Sequence, residues 1–387
     1  MQRTIRRLQR NRDGSIAVLA CFFMIVFVAM VAFAVDLGYM NMAHVELQRT
    51  ADAAALAATW ELIDNGPLQP QPDLSQEIAN ARAMAVTFAA ANPICNQGPT
   101  VDPNGSNDTS GDVVVGYLSD PRDPNCQMTF TDPNRFNAVQ VTIRRTAASN
   151  GEVPYYFARV LGHQSRPMSL RATAALLNNI NGFAAPSNGD TLGILPITID
   201  EYSWNELLAG NAPDNWKWEN GNCVPGQDGV RELNLYPQGT GSPGNRGTVD
   251  IGSPNNSTAD LSRQVLNGVN ATDMSYFPDS ELKFNDSGEL YLNGDTGISA
   301  GIKDELAAIK GLPRMIPVFR SVTGNGNNAN YTIIAWVGIR IMDVRLTGSM
   351  SSKQVIIQPC KMMTLGGLPN DGPQASYGVY SPVWLVR

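Results

Sequence analysis

Histidine is nearly absent: the 387 residues contain two, His44 and His163. That excludes a histidine-rich metal centre and leaves a Ser-His-Asp mechanism only two candidate bases. Cysteine is also scarce, with five residues, no Cys-x-x-Cys pair and no metal-ligand spacing. Charged residues make up only 16% of the chain and the net charge is −7. A globally basic nucleic-acid binder is therefore excluded. At 43% hydrophobic residues the chain is far from a disordered composition and can bury a sizeable core.

The positive charge that exists is placed unevenly. Arg3, Arg6, Arg7, Arg10 and Arg12 fall within the first 12 residues, where there is no acid, and the rest of the chain has 23 basic against 35 acidic residues. A basic tip before an acidic body predicts a topological boundary between them. The run Ile16–Val35, IAVLACFFMIVFVAMVAFAV, has no charge, proline or glycine and includes Ile16, Leu19, Phe22, Phe23, Ile25, Phe27, Phe33 and Val35. As a helix it is roughly 30 Å long, the thickness of a bilayer core. A cleaved secretory signal would have a shorter apolar region ending at a small-residue site, whereas this run ends at Asp36-Leu37-Gly38-Tyr39. The expectation is a single-pass anchor with its arginine tip held in the cytoplasm and its bulk exported. Cys21 lies in the span. The other cysteines, Cys95, Cys126, Cys223 and Cys360, form an even set on the exported side, compatible with two disulfides. The pairs Cys95–Cys126 and Cys223–Cys360 are favoured because each stays within one expected domain.

The helix is expected to continue past the membrane. Residues 36–64 contain no proline, and Leu37, Met40, His44, Leu47, Ala51, Ala54 and Ala58 recur at helical spacing. Two uses of that face stand: packing on the chain's own domain, with His44 a packing residue, or packing between molecules through small side chains. Gly66-Pro67 ends the segment, and a second helix is expected over 73–91, with Leu74, Ile78, Ala81, Ala85 and Phe88 on one face. Strands are expected at 112–118, 137–146 and 168–177, with a short helix at 154–162. Beyond about 180 the chain turns rich in Asn, Gly, Asp and Pro, with strands expected at 192–199, 331–342, 343–346 and 354–358 and helices at 261–267 and 299–309. The fold class is α+β. Its parts are a basic tip (1–14), a transmembrane helix (15–35), an alanine-rich stalk helix (36–65), a small α+β domain (66–178) and a β-rich, loop-heavy domain (179–387).

No motif implies a cofactor, a metal or a catalytic residue. Gly239–Gly244 matches GxGxxG, but Pro243 opposes the helix that a dinucleotide site needs. Asp295-Thr296-Gly297 occurs once, where paired-carboxylate chemistry needs two acids. The Asn/Asp-rich stretches 285–289 and 293–295 have oxygen ligands but no EF-hand spacing. N-x-S/T triplets occur, for example at Asn256 and Asn270.

Residues 12–58 resemble the N-terminal module of Tad (tight adherence) pilus-assembly proteins of the TadE/TadG-like kind. The likeness rests on Gly14 before the span, Val35-Asp36-Leu37-Gly38 after it, and Glu46-Leu47-Gln48 with Ala51-Asp52-Ala53-Ala54-Ala55-Leu56-Ala57. Residues 137–177 are more loosely similar to the continuation in TadG-like proteins. Two features depart from the family: Leu19 stands where prepilin-like members carry Glu, and the D-x-S-x-S signature of von Willebrand A domains is missing. The resemblance implies a non-enzymatic, inner-membrane structural or assembly protein of a bacterial type IVc pilus. Its helix residues Asp36, Gly38, Glu46, Leu47, Ala51, Asp52, Ala54, Ala55 and Leu56 would meet pilin-like partners or form an oligomer. The alternatives are an anchored adhesion protein that binds a glycan, the envelope or Ca²⁺, and, less favoured, a tethered hydrolase around Asp295 or Asp286.

Overall fold

A computed structural model describes residues 13–63, 68–69, 73–236, 246–252, 257–324 and 326–386. The five arginines of the tip, Gly66-Pro67, the 239–244 glycine cluster and Asn256 lie outside the described residues.

Helix α1 runs unbroken from Asp13 to Trp60. It is long and apolar enough to cross a membrane. The absence of proline and the run of strong helix formers after Glu46 account for its length. Helix α2, Ser75–Ala91, packs on it. Both lie on an antiparallel sheet of β1 (Val113–Gly116), β2 (Ala138–Arg145) and β3 (Met168–Ala175). Val139, Val141 and Ile143 of β2 alternate into the core against Leu47, Ala51, Ala54, Ala55 and Ala58, all fully buried. Alanines there let the helix backbone approach the sheet closely. Thr59 Oγ1 donates to Ala55 O within the helix (2.8 Å) and to Ala174 O of β3 (3.2 Å), and Thr50 Oγ1 likewise reaches Asn92 O (3.0 Å). The covered face reads Asp36, Met40, Ala43, Leu47, Ala51, Ala54, Ala58, so Leu37 and His44 of the expected face are exposed. A fully three-and-four spacing starting at Asp36 instead of Leu37 gives the observed stripe. On α2 the same one-residue drift buries Ala89 and leaves Phe88 exposed.

The C-terminal region is β-rich, as expected. Its largest sheet has eight strands among the described residues, including β4 (Leu233–Tyr236), β5 (Leu290–Asp295), β6 (Pro313–Thr323), β7 (Ala329–Arg345) and β8 (Gln354–Pro359). The two expected strands over 331–346 are one strand, β7, with a register shift between Ile341 and Asp343. It is buried on both faces: Tyr331, Ile333 and Trp336 belong to one core, Val337, Ile339 and Ile341 to another. Helices α3 (Glu201–Leu208), α4 (Thr258–Asn267) and α5 (Lys303–Ala308) flank it. The segment 192–199 makes isolated bridges and only the short strand Ile199–Asp200.

The chain then returns. Its last strand, Trp384–Leu385, pairs with Ala174 and Ala175 of β3 and completes the first sheet. Leu177, where the chain leaves that sheet, donates its N–H to Ser381 Oγ (2.7 Å), and Ser381 N–H donates back to Leu177 O (3.0 Å). Beside this crossing the Arg135 guanidinium lies 4.3 Å over the Tyr117 ring and pairs with Asp371 at 3.5 Å. Burial pushes the Tyr117 hydroxyl up to about 12.

Candidate functional site: the two clamps on the long helix

Two carboxylates of α1 tie distant loops to it. Asp36, at the end of the apolar run, is buried and accepts three successive backbone N–H groups: Tyr156 (2.8 Å), Phe157 (3.1 Å) and Ala158 (2.7 Å). Burial alone would raise its pKa, but these three donors and the nearby Arg159 outweigh it and hold the carboxyl below its ordinary value. Ten residues on, Glu46 Oε2 accepts the backbone N–H of Cys95 at 2.7 Å. Between them the Tyr39 ring meets Tyr156 edge-on at 4.9 Å. The Tyr39 hydroxyl is pushed well above its usual range, first by its bond to the Cys95 thiol and then by burial.

Each residue of the expected assembly helix thus has a place. Asp36 and Glu46 are clamps. Leu47, Ala51, Ala54 and Ala55 form the chain's own core, and Leu56 packs partly against it. Asp52 accepts from Gln48 Nε2 at 2.7 Å along the helix. Gly38 faces outward, with nothing within 4 Å of where a Cβ would stand. The structure therefore spends the small side chains inside the molecule, and they are not free for a partner. The span residues Ile16, Leu19, Phe22, Phe23, Ile25, Phe27, Phe33 and Val35 are all exposed.

The structure draws no bond between the cysteines of either expected pair. Cys95 sits beside Ile94, whose carbonyl accepts from Arg145 at the end of β2. Cys126 packs with Leu118, Ala138 and Ala175 at the strand's other end. The length of β2, roughly 23 Å, separates them, against about 6 Å between the Cα atoms of a disulfide. Cys223 Sγ faces Ile341 O (3.5 Å), and Cys360 Sγ accepts from Arg340 Nη2 (3.0 Å), whose guanidinium stacks on Trp218 of the Cys223 hairpin.

Arg82 was not legible as special. It is buried in α2, and its guanidinium donates to the carbonyls of Pro103, Asn104 and Val113 and to Asn107 Oδ1, fastening the polar loop after α2. The expected helix at 154–162 is instead a two-residue strand, Val153–Pro154, and a 3₁₀ turn, Ala158–Leu161, closed by Gly162 at φ 90°.

The remaining motifs form no reactive constellation among the described residues. Asn285 Oδ1 accepts from Ser287 N and Glu289 N, making a turn. Asp295 lies near Asp250, whose carboxyl rises to about 6 through burial and then through Asp260 and Asp295. Asp250 Oδ1 has no hydrogen-bond partner among the described residues. Asp214, Asp228 and Glu232 cluster, but Gln358 Nε2 and the backbone N–H groups of Asn215, Asp228 and Gly229 serve them.

Comparison with known proteins bears directly on α1 and its sheet. Residues 14–66 match the putative Flp pilus-assembly TadE/G-like family, and residues 49–174 match the putative Tad-like Flp pilus-assembly family. The two matches overlap on the alanine-rich part of α1 and stop at β3. No curated protein and no solved structure compared with the chain gives a match.

Proposed function

We propose, from the matches of residues 14–66 and 49–174 to Tad-like Flp pilus-assembly families, that the chain is a membrane-anchored, structural component of such a pilus system. The observation that carries this reading is the bare apolar half of α1. Its large side chains, Phe27 and Phe33 among them, are exposed, although no stretch of the sequence is longer without a charge. A contiguous apolar surface of that size is matched by hydrocarbon, not water. In this reading the anchor is in the inner membrane, Arg3, Arg6, Arg7, Arg10 and Arg12 hold the N-terminus in the cytoplasm, and the bulk is periplasmic or extracellular. The parts are then a tip (1–14), a span (15–35), a stalk (36–65), an α+β domain (66–178) and a β-rich domain (179–387).

Because the alanine face of α1 is occupied internally, the contact with pilus partners belongs on the opposite face. Gly38, Met42 and Val45 follow one another there at spacings of four and three and are exposed. Glycine in a helix costs about 1 kcal/mol relative to alanine, and nothing inside the chain requires it at position 38. A neighbouring helix approaching closely would use it. Purification of the full-length protein from native membranes should bring pilus components with it, and Gly38→Leu should reduce their recovery while the protein remains in the membrane fraction. Unchanged recovery with Gly38→Leu removes the contact face; a wild-type protein that fractionates as soluble and captures no pilus component removes the whole reading.

A groove of about 660 Å³ in the C-terminal region, lined by Asn181, Glu201, Asn285, Asp286 and Arg320, favours a second reading as an anchored surface-binding protein. Thermal stabilisation by a glycan or by Ca²⁺ would support it, and no shift with either would dismiss it.

A further inference from the structure

The loop clamped by Asp36 exposes a cluster of large apolar side chains. Tyr156 is 58%, Phe157 48%, Val160 89% and Leu161 80% exposed. These are unusual values for four large side chains within six residues of a folded sheet domain. The course of the loop along α1 is fixed by its contacts. Val153 packs with Met40 and Ala43, Tyr156 meets Tyr39, and Ala158 N–H reaches Asp36. From Val153 at Met40 and Ala43 the chain thus reaches Asp36, the end of the apolar half, where Tyr156, Phe157 and Ala158 all bond, and Val160 and Leu161 come after the last of these contacts. One helical turn below Asp36, on the same face, Ala32 is half-buried, while the other residues of Ile16–Val35 are exposed.

The charge along this segment supports the same partner. Residues 153–171 contain Arg159, Arg166, Arg171 and His163 and no acid, in a chain of net charge −7. Arg159, His163 and Arg166 are exposed. Apolar side chains flanked by arginines, with two tyrosines at the margin, have the composition of a segment seated at the boundary between headgroups and acyl chains.

We propose that Tyr156–Leu161 is a membrane-surface foot: it inserts Val160, Leu161 and Phe157 into the leaflet that α1 leaves at Asp36, with Arg159 and Arg166 at lipid phosphates. This rests on the membrane-anchoring reading above. With α1 and the foot both in the bilayer and Asp36 joining them, the sheet domain has two points of support and a fixed tilt over the membrane.

The test uses the full-length chain in nanodiscs of phosphatidylcholine and phosphatidylglycerol, with and without acyl-chain bromines. Leu161→Trp is compared with Phe33→Trp in the span and Tyr276→Trp on the exposed C-terminal region, each as the difference from wild type. The added tryptophan at 161 should emit at shorter wavelength than the one at 276 and be quenched by bromolipid at least about twofold more strongly. Quenching at 33 but not at 161 overturns the foot and leaves the anchor standing. No quenching at 33 overturns the anchor and the foot together. Equal quenching at 161 and 276 also overturns the foot, since it shows no site-specific depth.

Discussion

The two halves of α1 are one continuous helix, yet they solve opposite problems. The first half carries Phe, Met, Val and Ile and buries none of them; the second carries alanines and buries nearly all that face the sheet. Hydrophobicity by itself does not put a residue in the core of its own chain. Large apolar side chains all round a helix leave no polar face to turn outward, which is the pattern of a helix apolar enough to cross a membrane. Small side chains on one stripe allow close backbone approach, and threonines there can add hydrogen bonds that large residues would block. The switch between the two occurs at Asp36, whose charge is consumed by three backbone N–H groups.

The strongest way to break this comparison is to enlarge the buried stripe. Ala55→Leu should destabilise the folded domain by about 3 kcal/mol, because the helix cannot back away from a sheet to which Thr59 ties it and a second helix to which Thr50 ties it. Denaturant unfolding of the protein in detergent would measure it, and a change under about 0.5 kcal/mol would show that the interface is loose. Thr59→Val keeps the shape and removes the bond to Ala174 O, which should cost about 1–2 kcal/mol in the same assay.

Asp36→Asn should act locally and with a pH signature. The folded carboxyl titrates below its unfolded value, so its contribution is fully present above the unfolded pKa and is lost as pH falls through the folded one. Amide exchange at Tyr156, Phe157 and Ala158 should therefore speed up on acidification in the wild type. In Asp36→Asn it should be faster already at neutral pH and lack that titration; identical profiles would mean that Asp36 does not hold the loop. The smallest expected effect is at Phe27→Ala in the apolar half. Unfolding of the sheet domain should stay within about 0.5 kcal/mol of wild type, since Phe27 touches nothing in that core.

The apolar span, the α+β class and the main strands of the first sheet were legible in the sequence, because periodicity and composition act locally. The covered side of α1 was legible at Met40, Leu47, Ala51, Ala54 and Ala58, but not at Leu37 and His44, each one residue off the stripe, because only the sheet beneath decides between neighbours. The clamps were legible as motif residues but not as clamps, since their partners lie 49 to 122 positions away. Strand β6 escaped notice because Pro313 and Pro317 interrupt its pattern, although the strand accommodates both while pairing along β7. The disulfides were a reasonable inference from number and compartment that the length of β2 overrules for the first pair.

The mutual hydrogen bonds of Leu177 and Ser381, together with the final strand on β3, have a mechanical consequence. The C-terminal region leaves and rejoins the first sheet at adjacent points, so it is a loop hung from two neighbouring fasteners and not a bead on a single string. A pull on it loads both attachments together, and the shear is carried through β3 into the helix that the sheet covers. Twisting it would have to wring two strands at once, so an outward load reaches α1 as tension along the rod with little rotation.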